Sequence, residues 1–490
     1  MTADSAYREL IRLHRERGLL ESCAALLEWD AETYLPPLGV ELRAEQQAIL
    51  ARLEHERAAD PRLGDLLLEA ESGQPGDPAR AGNLRELRRE HDRARATPVA
   101  LVEELARETT RAQGVWEEAR ARGDAADYLP HLDRVVRLSR AQADCLRRSG
   151  GRYDACLDQW EPGLTTGELD RFLLPLRARL MSLADRVAGA ARPPDLFTRP
   201  VPVAAQRELV TSILAGFGFD FAAGRLDEAA HPSTVRIGPG DVRLTTRFLP
   251  ERPLRGLFST LHELGHGLYD QNLPTEHFGT PVGECGSLAL HESQARLIEN
   301  LVGRRRAFWG WFFPRLAAAA PAYAGIELDA ALAAVNRVER TALRNGSDEV
   351  TYDLHIAIRV DLERALIDED LSTADLPAAW DAAYRRDLVA PGGARDGFLQ
   401  DSHWAAGMFG YFPTYSLGNL IAAQLFAAAP AIDDELARGS IASLTAWLCH
   451  NVHRHGGLLS SAAIVERATG RPLSIDAQLA HLEARYAPSA

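Results

Sequence analysis

The 490-residue chain is 46% hydrophobic and 25% charged, with a formal net charge of −14 and a pI near 5.6. Its 55 basic residues are all arginine, which excludes a P-loop lysine, a Schiff-base lysine and any lysine general base. The acidic balance also excludes a general nucleic-acid binder, because no surplus of cations is available to neutralise phosphates.

Residues 1–20 (MTADSAYRELIRLHRERGLL) contain no apolar core and no small-residue cleavage site, so no secretory leader is expected. No apolar run approaches the roughly 20 residues that span a bilayer. Five scattered cysteines, Cys23, Cys145, Cys156, Cys285 and Cys449, form no CxxC pair and predict reduced thiols. A cytoplasmic protein is the expectation. The spacing of Leu10, Leu13, Leu19, Leu20, Leu26 and Leu27 predicts a helix, and most later segments repeat that periodicity. Pro and Gly clusters at Tyr34–Gly39, Gly73–Pro78 and Arg192–Asp195 punctuate the helices. The stretch Arg85–Arg95 alternates arginine with acids and reads as a solvated, salt-bridged helix face.

One region departs from helix. His231–Phe248 (HPSTVRIGPGDVRLTTRF) alternates apolar and polar residues around Gly-Pro-Gly-Asp, which predicts a hairpin of Thr234–Ile237 and Val242–Phe248. Directly after it, Arg255–Gln271 (RGLFSTLHELGHGLYDQ) carries His262-Glu263-Leu264-Gly265-His266, an HExxH motif. On a helix, positions i and i+4 share a face, so His262 and His266 can converge on one zinc ion. Glu263 sits beside that face, placed to activate a water without ligating. Leu257, Phe258, Leu261, Leu264 and Leu268 suit a buried helix.

A short motif can arise by chance, and a catalytic zinc needs a third protein ligand. Gly286–Asn300 (GSLALHESQARLIEN) predicts a second helix with Glu292, 26 residues beyond His266. A glutamate on a separate helix is the arrangement of the gluzincin peptidases. His291 points about 100° away from Glu292 and is expected behind the metal or in the core. The tract His450, His453, His455 lacks a neighbouring carboxylate or cysteine pair and is not expected to ligate.

From Gly279 to Glu299 the sequence GTPVGECGSLALHESQARLIE resembles the M32 metallocarboxypeptidases, the thermostable carboxypeptidase family. The resemblance runs over nearly the whole chain. Leu27–Pro37 and Tyr153–Thr166 look like family segments. Asp241–Thr245 (DVRLT) matches DxRxT, HELGH and HESQ follow, Arg344–Asp348 (RNGSD) resembles RxxAD, and Gly397–Trp404 (GFLQDSHW) matches GxxQDxHW. The family's His-Pro-Phe stands here as His231-Pro232-Ser233, and Ser347 replaces the usual alanine.

The resemblance implies a mainly α fold: one large helical gluzincin-type body spanning 1–490, with a deep active-site groove and a small β-sheet next to the zinc helix. It implies a hydrolase that releases C-terminal amino acids from peptides with broad specificity, acting as a homodimer. Zinc is the implied cofactor, with cobalt able to substitute. His262, His266 and Glu292 would hold the metal and Glu263 would act as base. His403, Tyr411 and Tyr415, grouped in HWAAGMFGYFPTY, would donate hydrogen bonds to the oxyanion, although packing is an equal reading for the tyrosines. Arg344 and Arg243 are the candidates for the cation that registers the terminal carboxylate, with His231 on the substrate side. Ion pairs with Asp348 or Asp241 are the rival fate of these arginines. Asp348 and Glu349 are candidate acceptors for a ligand imidazole. Two other readings stay open: a helical gluzincin oligopeptidase that cuts internal bonds or releases dipeptides, and a non-catalytic zinc-binding protein.

Overall fold

Periodic leucines do build helices at the N-terminus. Ala3–Thr33 is capped by the Thr2 side chain and buries Leu10 and Leu13 with Leu66, Leu67, Leu84 and Leu87. Leu19 and Leu26 have the same spacing yet stay exposed. The helix ends before Tyr34–Gly39, as its two prolines require.

The structure is a computed structural model that describes residues 1–73, 76–147, 149–188, 193–388 and 395–487. The turn clusters Gly73–Pro78 and Arg192–Asp195 thus fall partly outside the described residues. Among the described residues are twenty α-helices and one three-stranded sheet, the mainly α class with a small sheet that the sequence predicts. None of these helices is long and apolar enough to cross a membrane.

The chain divides into two compact units, each assembled from separated segments. The first comprises Met1–His91, Pro193–Val335 and Ile421–Leu473. The second comprises Asp92–Arg192, Asn336–Leu420 and Ser474–Ala490.

The sheet belongs to the first unit. Strands β1 (Gly224–Glu228), β2 (Ser233–Gly238) and β3 (Asp241–Thr246) lie in the order β1-β3-β2. The predicted hairpin is the antiparallel β2–β3 pair. Its turn uses Pro239 to fix one central residue and Gly240, at φ 79°, to take the left-handed one. β1 pairs parallel to β3, a strand the sequence reading missed because GRLDE is polar and shows no alternation. β3 is central, and its Val242 and Leu244 are buried.

The HExxH helix, Pro253–Gln271, starts with proline in its first turn, where the missing N–H costs nothing. Leu257, Leu261, Leu264 and Leu268 are buried as expected, whereas Phe258 is only half-buried and lies under Arg304. Gly267 turns toward the sheet: a methyl there would come within 2.8 Å of a Leu244 methyl. The sheet therefore packs directly on this helix.

Candidate metal centre and active site

Two helices of the first unit create the site. The second, Leu288–Arg296, begins where the Ser287 hydroxyl accepts the Leu290 N–H, and runs into a π-helical turn at Leu297–Val302. It approaches the HExxH helix at Gly265. A methyl at Gly265 would overlap the Gln294 carbonyl oxygen and sit 2.6 Å from the Ala295 nitrogen. The glycine of HELGH thus lets two backbones touch, and their side chains meet one turn away.

His262, His266 and Glu292 meet there, their ligand atoms all within 4.8 Å of one another. Glu292 Oε2 lies 3.8 Å from Nε2 of each histidine. These separations are too long for hydrogen bonds and suit three donors around one ion. Glu292 Oε1 is buried with no hydrogen-bond partner among the described residues, and the Arg296 guanidinium lies 3.9 Å away as an ion-pair neighbour. Among the described residues this is the one group of three with metal-ligand geometry, and it fits a divalent ion.

The surrounding side chains orient the ligands. His262 Nδ1 donates to Glu299 Oε2 at 3.0 Å, which leaves the Nε2 lone pair free to coordinate. Glu299 is itself bonded by Arg296 at 3.0 Å. Burial would raise the Glu299 carboxyl, but Arg296, His262 and Arg304 outweigh it and hold it at about 2. Burial likewise opposes a charge on His262, yet with no metal bound Glu292, Glu299 and Glu263 push it up to about 9, so an incoming ion would displace its Nε2 proton. Burial, with His291 and His262 nearby, keeps His266 neutral, well below its ordinary value. His291 stacks on His266, centroids 4.1 Å apart, and its Nε2 bonds Asp270 at 3.1 Å. It lies behind the ligand set, not in it.

Glu263 is 6% exposed. Thr234 Oγ1 on β2 lies 2.8 Å from Glu263 Oε2 and 3.1 Å from the Glu263 carbonyl oxygen. Burial raises the Glu263 carboxyl above its ordinary value, with His262 and Thr234 partly offsetting it. A buried carboxyl raised in this way suits a group that takes a proton and gives it back.

Sequence reasoning passed over Glu299, Thr234 and Asp270. Glu299 had a signal, since it lies seven residues after Glu292 and so on the same helix face. Asp348 and Glu349, expected near a ligand imidazole, are elsewhere. Asp348 accepts from the Thr351 hydroxyl and the Val350 and Glu339 amides, and Glu349 from His481, Arg485 and Tyr486. Arg243 meets its rival fate: it forks onto Asp241 at 2.8 Å through both Nε and Nη2 and stacks 4.2 Å above Trp29. His231 is exposed, and its carbonyl accepts from Thr245.

In the second unit the structure brings His403, Tyr411, Tyr415 and Arg344 together. His403 Nε2 lies 3.3 Å from the Tyr415 hydroxyl, and the His403 and Tyr411 rings are 5.4 Å apart. The Arg344 guanidinium is 5.1 Å over the Tyr415 ring. Its ion-pair partner is Asp401 at 2.7 Å, not Asp348. Burial, reinforced by Arg344 and Arg359 against Asp401, lowers His403 to about 4, so its imidazole is neutral at physiological pH.

His450, His453 and His455 form no ligand group among the described residues. His453 is buried against Tyr269 and bonds Gln294 at 3.0 Å. Burial lowers it to about 3. Its folded value lies below the unfolded one, near 6.5. Its contribution to stability is therefore complete above pH 6.5 and is lost as pH falls toward 3, by on the order of 5 kcal/mol. His453→Gln keeps a donor for Gln294 but binds no proton. Urea midpoints from pH 7 to 5 should fall less steeply for the variant than for the parent, and an identical slope would refute this assignment.

Comparison with known proteins shows the family. The profile of the Carboxypeptidase Taq (M32) metallopeptidases matches residues 9–486. Thermostable carboxypeptidase 1 of Thermus thermophilus is 45% identical over 99% of both chains. The crystal structure of the M32 carboxypeptidase from Deinococcus radiodurans R1 superposes with a TM-score of 0.95 at 36% identity, covering 98% of this chain and 99% of that one. Trypanosoma cruzi metallocarboxypeptidase 1 gives a TM-score of 0.94 at 31% identity, over 99% and 100% of the two chains. A two-helix centre shaped for a divalent ion, set in a chain that matches these relatives end to end, makes this protein a member of the carboxypeptidase Taq (M32) metallopeptidase family.

Proposed function

We propose that the protein is a zinc-dependent carboxypeptidase that removes single residues from the free C-termini of peptides, with broad side-chain tolerance. The observation that carries this reading is the convergence of His262, His266 and Glu292 beside a buried Glu263 whose carboxylate is held by Thr234. Zinc held by that triad would supply Lewis-acid polarisation of the scissile carbonyl and make a water acidic near neutral pH. Glu263 takes the proton of the attacking water onto its carboxylate and returns it to the departing amine nitrogen. Glu299 keeps His262 in the tautomer that presents Nε2. His403, neutral at working pH, and the Tyr411 and Tyr415 hydroxyls serve as donors to the substrate. Arg344 receives the terminal carboxylate, because a planar guanidinium binds it through two parallel N–H bonds.

The whole chain, 1–490, acts as one catalytic domain. Its cysteines form no disulfide among the described residues, which supports a cytoplasmic setting, and the family resemblance supports a homodimer.

Two measurements test the proposal. Chelation should abolish release of C-terminal residues, and added zinc or cobalt should restore it; hydrolysis that survives complete metal removal would refute the zinc mechanism. Arg344→Met should lower kcat/KM by about 100-fold on peptides with a free C-terminus and far less on their C-terminal amides. Equal losses on both would remove Arg344 from the carboxylate site.

A further inference from the structure

Arg344 presents a difficulty for any carboxylate site, because its charge is already engaged. Its Nε and Nη2 both donate to Asp401 Oδ1, at 3.1 and 2.7 Å, and its Nη1 donates to the Tyr352 hydroxyl at 3.0 Å. A guanidinium paired one-to-one with an aspartate is a neutral object and attracts no second carboxylate. The pair is not one-to-one. The other oxygen, Asp401 Oδ2, accepts from Arg359 Nε at 2.7 Å.

Arg359 lies on the helix Tyr352–Ile367 and is wholly buried. Its Nη1 donates to the His355 carbonyl at 2.9 Å and to the Tyr384 hydroxyl at 3.1 Å. Trp380 and Phe412 flank the guanidinium at 4.8 and 5.5 Å. With 0% of its side chain exposed, it cannot touch a substrate. Such a group fits poorly as a stability device, since a buried charge contributes little net stability and a close-packed apolar residue often does as well. Burial favours a neutral Asp401, but Arg359 and Arg344 outweigh it and keep the carboxylate ionised. Two guanidiniums therefore share one carboxylate, and the cluster carries a net charge of +1. Gln400, the neighbour of Asp401, completes the hold by accepting the Arg344 backbone N–H at 2.8 Å. Among the described residues these side-chain bonds use three of the five N–H groups of Arg344.

We propose that Arg359 is a positioning residue for substrate carboxylate capture: by occupying the far oxygen of Asp401 it lets that aspartate fix Arg344 without cancelling its charge. This rests on the reading of Arg344 as the carboxylate receptor. The role is one of charge arithmetic, and so it predicts rescue by a second loss. Arg359→Met leaves Arg344 and Asp401 as a neutral pair, whereas Arg359→Met/Asp401→Asn returns the cluster to +1.

The experiment measures, on the metal-loaded enzyme, the ratio of kcat/KM for a blocked dipeptide with a free C-terminus to that for its C-terminal amide. Arg359→Met should lower the ratio by about tenfold or more, through KM, because long-range attraction within a buried site is only weakly screened. The double variant should recover it to within about threefold of the parent, since only the charge balance differs. Arg359→Lys keeps the cation but loses the bonds to His355 and Tyr384, and it should also hold the ratio. This variant carries the test if the methionine variant does not accumulate.

An unchanged ratio in Arg359→Met, or a loss that the double variant fails to restore, would overturn the proposal, as would collapse of the ratio in Arg359→Lys. If Arg344→Met itself preserves the ratio, the carboxylate-receptor reading fails first. If Arg344→Met abolishes the ratio and Arg359→Met does not, only the inference about Arg359 falls.

Discussion

Glu263→Gln should reduce kcat by roughly 10²- to 10⁴-fold, the range for loss of a positioned general base, while the protein still binds one equivalent of zinc. The amide keeps the shape of the side chain. It can still face the Thr234 hydroxyl, now through its carbonyl oxygen, and it leaves His262, His266 and Glu292 untouched. What it cannot do is accept a proton from water and carry it to a leaving amine. The variant therefore separates metal binding from proton transfer. A wild-type rate with full zinc occupancy would require another base, and the other carboxylates described at the site have other partners: Glu292 would be held by the ion, and Glu299 bonds His262. Loss of zinc together with activity would instead mean that Glu263 shapes the ligand set.

Gly265→Ala should be the most damaging single methyl in the site. In an ordinary helix interior the change would stabilise by about 1 kcal/mol. Here the new carbon would overlap the Gln294 carbonyl and lie 2.5 Å from Ala295 Cα, all of it backbone that cannot rotate aside. The two helices must separate, and Glu292 withdraws from the imidazole pair. Overpacking of this kind costs about 1–3 kcal/mol or more of stability. Zinc affinity should fall by about 10- to 100-fold, comparable to the loss of a supporting partner for a ligand. Titration against a fluorescent zinc chelator reads the affinity, and differential scanning calorimetry the stability. Unchanged affinity would mean that the helix contact is not what places Glu292.

These two residues also mark how far sequence reasoning reached. HExxH and the Glu292 helix were legible because helical spacing turns a linear pattern into a face, and both candidate faces proved to meet. Gly265 was visible as a letter of the motif, but its task depends on which backbone lies opposite. Thr234 was placed on a strand by alternation, yet nothing local says that its hydroxyl ends on Glu263. The arginines show the same limit. Arg243 and Arg344 both stood in matched motifs, and packing separates them: Arg243 lies on Trp29 beside Asp241, whereas Arg344 shares Asp401 with a second arginine on the helix that begins at Tyr352. Strand β1 was missed because an edge strand with polar residues carries no alternation to read.

The separated segments of the first unit have a consequence for how the protein is made. Its last piece, Ile421–Leu473, supplies His453 to Gln294 on the Glu292 helix. In the same unit, Gly82 on the helix Pro78–Ala96 lies against Leu458. A growing chain that has already delivered all the metal-site residues thus still lacks the support behind one of them. At about 5–20 residues per second, the ribosome holds these helices incomplete for tens of seconds after His266 emerges. Apolar faces built for the final segment stand open during that interval, the condition under which partly folded chains tend to aggregate.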